Sequence, residues 1–204
     1  MNRTGASLVF VHVTLLDLLD VRNGSAARPV QRGTPADRVT FVRACLSCLV
    51  AGLVSLSYAG HAHVEPLVAL ATVALVLDAV DGWVARRTRS TAFGAAFDME
   101  TDAFLILVLS VYVAGAVGWW VLLIGLARYL LLVATRIWPW LADPIPPRRW
   151  AKAVAALQGV VLVVVAADVL PRTAAVAALV VALLLLAASF GHQVWWLRRA
   201  GRFS

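Results

Sequence analysis

Five of the chain's 11 acidic residues fall between Asp78 and Asp102, in a stretch bounded by two long apolar runs. Asp78 and Asp81 are three residues apart and Asp98 and Asp102 four apart, so on helices each pair projects from one face. A helical hairpin lets the two pairs meet. A carboxylate set among lipid-facing segments costs about 2.5–3.5 kcal/mol on insertion scales, and an unpaired one tends to protonate instead. Four of them together need a cation. Oxygen-only ligands suit Mg²⁺, Mn²⁺ or Ca²⁺, whereas zinc and copper sites recruit His or Cys, and none lies in this stretch. The local chemistry is that of a hard divalent metal.

The segments that position these groups are unusually apolar. Of 204 residues, 62% are hydrophobic and 14% charged, and the mean hydropathy is +0.86. A soluble domain of this size cannot bury so much apolar surface, so the expected fold is an all-α integral membrane protein. The formal charge of +7 is carried by arginines and the single Lys152. The basic residues of the connecting segments fall on alternate gaps between the apolar runs, with only Arg172 in an opposite-side loop, which is the positive-inside pattern and not the continuous stripe that reads nucleic acid. Membrane lipids and phosphate-bearing substrates are the expected partners; nucleic acid is not. Cys45 and Cys48 form a C-x-x-C within an apolar helix, where they read as small buried side chains and not as a redox pair.

Taken in order, residues 1–33 read as a cytoplasmic N-terminal segment, with Leu8 to Leu19 able to form an interfacial helix and no cleavable signal peptide. Six transmembrane helices are expected over residues 34–198: about 35–58, 65–87, 92–116, 119–138, 150–169 and 173–196, followed by a short cytoplasmic tail over 199–204. Asp78 then lies roughly 13 Å before Arg87, and Asp102 roughly 15 Å after Ala92, so both pairs sit at similar depth. The basic gaps place both termini and the mouth of the acidic hairpin in the cytoplasm, in a multi-pass protein of the cell membrane.

With its glycines and arginine included, the stretch reads Asp78-x-x-Asp81-Gly82-x-x-Ala85-Arg86, then Gly94-x-x-x-Asp98-x-x-x-Asp102. This pattern resembles the motif of the CDP-alcohol phosphotransferase family, with one residue fewer between Arg86 and Gly94 than is common there. In the first helix, Asp37-x-x-Thr40-x-x-Arg43 is similar to the family's Asn-x-x-Thr-x-x-Arg, with Asp37 in place of Asn. The resemblance implies transfer of a substituted phosphate group from a CDP-alcohol, such as CDP-diacylglycerol, to an alcohol acceptor, with release of CMP and dependence on Mg²⁺ or Mn²⁺. It implies Asp78, Asp81 and Asp98 as metal ligands, Asp102 as general base and possible further ligand, and a homodimer.

The residues suit those roles. Gly82 and Ala85 keep side-chain bulk off the acidic face so that a nucleotide can approach backbone, Gly94 does so one turn before Asp98, and Arg86 is placed to contact phosphate. Arg128, Arg136 and Lys152 are the candidate contacts for a phosphorylated polyol acceptor. Glu100 lies about 200° around the helix from Asp98 and is expected to pair with an arginine and not with the metal. The alternative function is a membrane cation transporter or channel that uses the acidic helix pair, because intramembrane carboxylates alone do not separate the two.

Overall fold

The computed structural model describes residues 35–61, 63–85, 92–142 and 149–200. The N-terminal segment, Arg86 and the linker to Thr91, the loop 143–148 and the last four residues lie outside the described residues. Among those described there are helices and no strand. Six long helices follow one another: α1 Pro35–Tyr58, α2 Val64–Ala85, α3 Ala92–Val117, α4 Leu122–Ile137, α5 Arg149–Ala166 and α6 Arg172–Ala200, with 3-10 turns at Trp119–Val121 and Pro139–Ala142. Among the described residues, four stretches are long and apolar enough to cross a membrane: Val39–Tyr58, Phe97–Val117, Trp119–Ile137 and Arg172–Arg199. α5 adds a shorter apolar stretch, Trp150–Ala166.

The chain forms two compact units, residues up to Val108 and residues from Leu109. In the first, α1 packs against α2. The inward stripe of α1 runs Thr40, Arg43, Ser47, Val50, Ala51, Val54, Ser55, all buried, at the three- and four-residue spacing of one helix face. Its outward side carries exposed Phe41, Val42, Leu49 and Leu56. Polar inside and apolar outside is the arrangement that hydrocarbon demands, since a lipid-facing hydroxyl or charge finds no partner there. The hydroxyls of Ser47 and Ser55 donate to the carbonyls of Arg43 and Ala51, each at 2.9 Å, which satisfies them without leaving the helix. On α2 the buried positions are Leu67, Ala71 and Ala74, small enough on two of three turns to let the helices approach closely.

α1 ends because Gly60 adopts φ +88. The His61 N–H returns to the Leu56 carbonyl at 3.0 Å and the Gly60 N–H to that of Ser57 at 3.1 Å, the paired bonds of a Schellman cap.

In the second unit α5 and α6 form a hairpin. Val154, Gln158, Leu162 and Ala166 are buried at four-residue intervals on α5, and Ala175, Leu179 and Ala182 at intervals of four and three on α6. The Gln158 amide donates to the Ala182 carbonyl at 3.0 Å. The fifth helix ends at Ala166, three residues before the sequence-based end at 169. Asp168 takes φ 53, a left-handed conformation that aspartate tolerates better than most residues, and the turn is complete before Pro171.

The Gly60 cap gives a paired test. Open space surrounds a Cβ at either Gly60 or Gly52, so only backbone conformation separates them. Gly60→Ala is expected to lose about 1–2 kcal/mol from the left-handed penalty. Gly52→Ala, inside α1, is expected to leave stability unchanged or raise it by up to about 1 kcal/mol. Thermal unfolding of the detergent-solubilised protein reads both.

Candidate metal centre

Three helices of the first unit supply the charged groups. α2 contributes Asp78, two turns before its end. α3 contributes Asp98 and Asp102, one turn apart on one face. One carboxylate oxygen from each of the three lies within 4.8 Å of the others. The side chains are 32%, 34% and 35% exposed, so the cluster is open to solvent on one side.

Its other side is closed by a residue of α1. Arg43 is 1% exposed, and its guanidinium faces all three carboxylates. Nη2 lies 3.0 Å from Asp78 Oδ1 and also donates to Asp102 Oδ1, while Nη1 donates to Asp98 Oδ1. A planar fork with several donors can serve three acceptors at once, which a lysine ammonium on a flexible stem does less well. The Arg43 Nε is buried without a hydrogen-bond partner. Three carboxylates against one guanidinium leave a formal charge of −2 among the four groups.

The donor set fits a hard cation. It offers oxygen only, from three carboxylates that converge and remain reachable from solvent, and this is how Mg²⁺ or Mn²⁺ is held. Asp81, Gly82 and Ala85 lie in the last turns of α2 and Gly94 in the first turn of α3, where the description extends to backbone only. Arg86 lies outside the described residues.

The remaining expected site residues belong to the second unit. Arg128 is half-buried on α4 and has interactions of its own, whereas Arg136 on α4 and Lys152 on α5 are exposed. Glu100 is 2% exposed and stands apart from the carboxylate group that could hold a metal, as its angle around α3 requires. Cys45 and Cys48 are free thiols but not the buried side chains expected from the sequence: Cys45 is exposed on the outward side of α1 and Cys48 is half-buried.

Arg43 is the residue that motif spacing does not reveal as part of this site. A signal for it exists in the sequence nonetheless: an arginine within an apolar span requires an anionic partner, and the acidic stretch between Asp78 and Asp102 offers several.

The sequence model for CDP-alcohol phosphatidyltransferase matches residues 33–195, well over half of the chain. The chain belongs to the CDP-alcohol phosphatidyltransferase family. No curated protein and no solved structure matches it. Membership makes the protein a membrane transferase that uses a CDP-alcohol donor and an alcohol acceptor, of a family that depends on divalent metal in general. The match spans α1 to α6 and so includes Arg43 together with the carboxylates.

Metal binding at this cluster is readable from stability. A ligand present at 100 times its Kd stabilises the folded state by about 2.7 kcal/mol. Mn²⁺ is expected to raise the thermal midpoint of the wild type and of Asp168→Asn, whose carboxylate lies in the second unit. The rise is expected to disappear in Asp78→Asn and Asp98→Asn.

Proposed function

We propose that this protein is a phospholipid-synthesis enzyme that transfers a phosphatidyl group from CDP-diacylglycerol to an alcohol, with a phosphorylated polyol as acceptor and CMP as leaving group. The observation that carries the reading is the convergence of Asp78, Asp98 and Asp102 from two helices, each open to solvent, in a chain of this family. Together with Asp81, these residues would hold Mg²⁺ or Mn²⁺. When bound, the ion neutralises the donor diphosphate and the charge that develops on departing CMP.

The chain's own residues then divide the work. Asp102, the carboxylate deepest along α3 from the turn, takes the proton from the acceptor hydroxyl as it attacks. Gly82, Ala85 and Gly94 leave room for the nucleotide against backbone, and Arg86 contacts phosphate. Arg128, Arg136 and Lys152 bind the phosphate of the acceptor, a role that cationic side chains fill and that an unphosphorylated alcohol would not require.

The basic gaps support a topology of six crossings within residues 34–198, with residues 1–33 and 199–204 cytoplasmic and the site facing the cytoplasm of the cell membrane. A homodimer follows the family resemblance.

The test is an assay of purified protein with CDP-diacylglycerol and a panel of alcohols. CMP release is expected with Mg²⁺ or Mn²⁺ and not with EDTA, and glycerol phosphate or inositol phosphate is expected to enter the lipid product. Loss of a general base lowers a rate by about 10²–10⁴-fold, so Asp102→Asn is expected to fall at least that far. Asp81→Asn is expected to be inactive as well. A product formed only with serine or another unphosphorylated alcohol would overturn the acceptor assignment. Nucleotide-independent ion flux in sealed vesicles, without CMP release, would overturn the enzyme.

A further inference from the structure

We infer that Arg43 is an exchangeable counter-ion of the acidic cluster: it holds the carboxylate oxygens that a divalent ion requires, and it withdraws when the ion binds. The inference rests on the metal reading above and concerns how that site is filled.

Three observations carry it. First, the guanidinium contacts all three carboxylates that converge as a ligand set, so arginine and ion draw on the same three side chains. Second, Arg43 approaches from the buried side, at 1% exposure, while the carboxylates are about one-third exposed, so an ion can arrive from solvent without the arginine being in its path. Third, the buried Nε has no hydrogen-bond partner, so the carboxylates do not satisfy the whole guanidinium and leave it capacity for another acceptor.

Charge and size then set the coupling. The four groups sum to −2, so the cluster still attracts a cation with Arg43 in place. Mg²⁺ demands close, near-octahedral contact with its ligand oxygens, at about 2.0–2.1 Å. A guanidinium on those oxygens places like charge against the ion and occupies part of its coordination shell. The arginine-held and ion-held arrangements therefore compete for the three carboxylates. The observed metal affinity is the intrinsic one reduced by the fraction of molecules in which Arg43 has withdrawn.

The test is Mn²⁺ binding to the detergent-solubilised protein, read by electron paramagnetic resonance of the free ion, with no nucleotide present. Arg43→Gln is expected to bind Mn²⁺ on the order of tenfold more tightly than wild type, within the usual range of coupling between sites. Arg43→Lys keeps the charge and is expected to stay within about threefold of wild type. Equal or weaker binding by Arg43→Gln, with wild type binding normally, overturns the exchange and leaves the metal site intact. Absence of binding in wild type overturns both readings.

Should Arg43→Gln not be recovered folded in EDTA, its thermal unfolding with saturating Mn²⁺ decides. Recovery of a cooperative transition shows the ion replacing the arginine's charge. An unfolded variant in both conditions, beside a folded Arg43→Lys, overturns the exchange.

Discussion

Like charges that must meet among apolar helices govern the first unit. Asp78, Asp98 and Asp102 belong to two helices, and bringing three carboxylates within 4.8 Å of one another sets Coulomb repulsion against the packing of those helices. Arg43 removes most of that conflict from a third helix. The arrangement ties α1, α2 and α3 together at one end of the first unit. It also explains why α1 keeps its polar residues inward: Thr40, Arg43 and Ser47 must share the face that reaches the cluster, and the lipid-facing side is left to Phe41, Val42 and Leu49. The carboxylates remain about one-third exposed, so solvent screening reduces the worth of each ion pair well below that of a fully buried one. Arg43 itself has no such relief. It is buried almost completely, so it can leave these anions only for another acceptor.

The second unit is held differently. The α5–α6 hairpin uses aliphatic side chains and small residues at three- and four-residue spacing, joined by the contact of Gln158 to the Ala182 carbonyl. One end of that unit is rich in aromatic and basic groups: Arg198 lies 5.7 Å from the Trp140 ring, Arg199 lies 3.9 Å from Trp195, and His192 meets Trp150 edge-on. Amphipathic rings paired with cations suit the boundary between hydrocarbon and headgroups.

Much of the architecture was legible in the sequence because membrane helices are specified by composition. Apolar runs bounded by Pro35, Gly60, Pro66 and Gly118 gave helix ends within about two residues for most elements. Three ends differ by more: α4 begins at Leu122 after a 3-10 turn, α6 continues to Ala200, and α5 ends early where Asp168 takes a left-handed conformation, a role for which no propensity singles out one aspartate. The convergence of Asp78 with Asp98 and Asp102 was also legible, because i,i+4 spacing fixes one face and a short linker forces antiparallel neighbours. Arg43 was visible as a motif residue but not as a member of the cluster. Its partners lie 35 or more positions away in the chain, and only the packing of α1 on the hairpin brings them together. How many helices cross the membrane depends on depth, and α2 shows why: its last turns carry acids that a span shuns and a site requires.

The same accounting of burial ranks the proposed acceptor contacts. Arg136 and Lys152 are exposed, and a solvated cation gains little from one more anion, since water and salt already screen it. Arg128 is half-buried on α4, where a charge is costly unless it is matched. On the proposed reading, most of the discrimination between a phosphorylated and an unphosphorylated alcohol therefore comes from Arg128, and the two exposed residues act chiefly by drawing anions toward the surface. Arg128 already has interactions of its own, so an acceptor phosphate has to offer it a better partner than the one it leaves. On that reading the acceptor is selected by partner exchange at a half-buried arginine, as the metal is at Arg43 on the inference above.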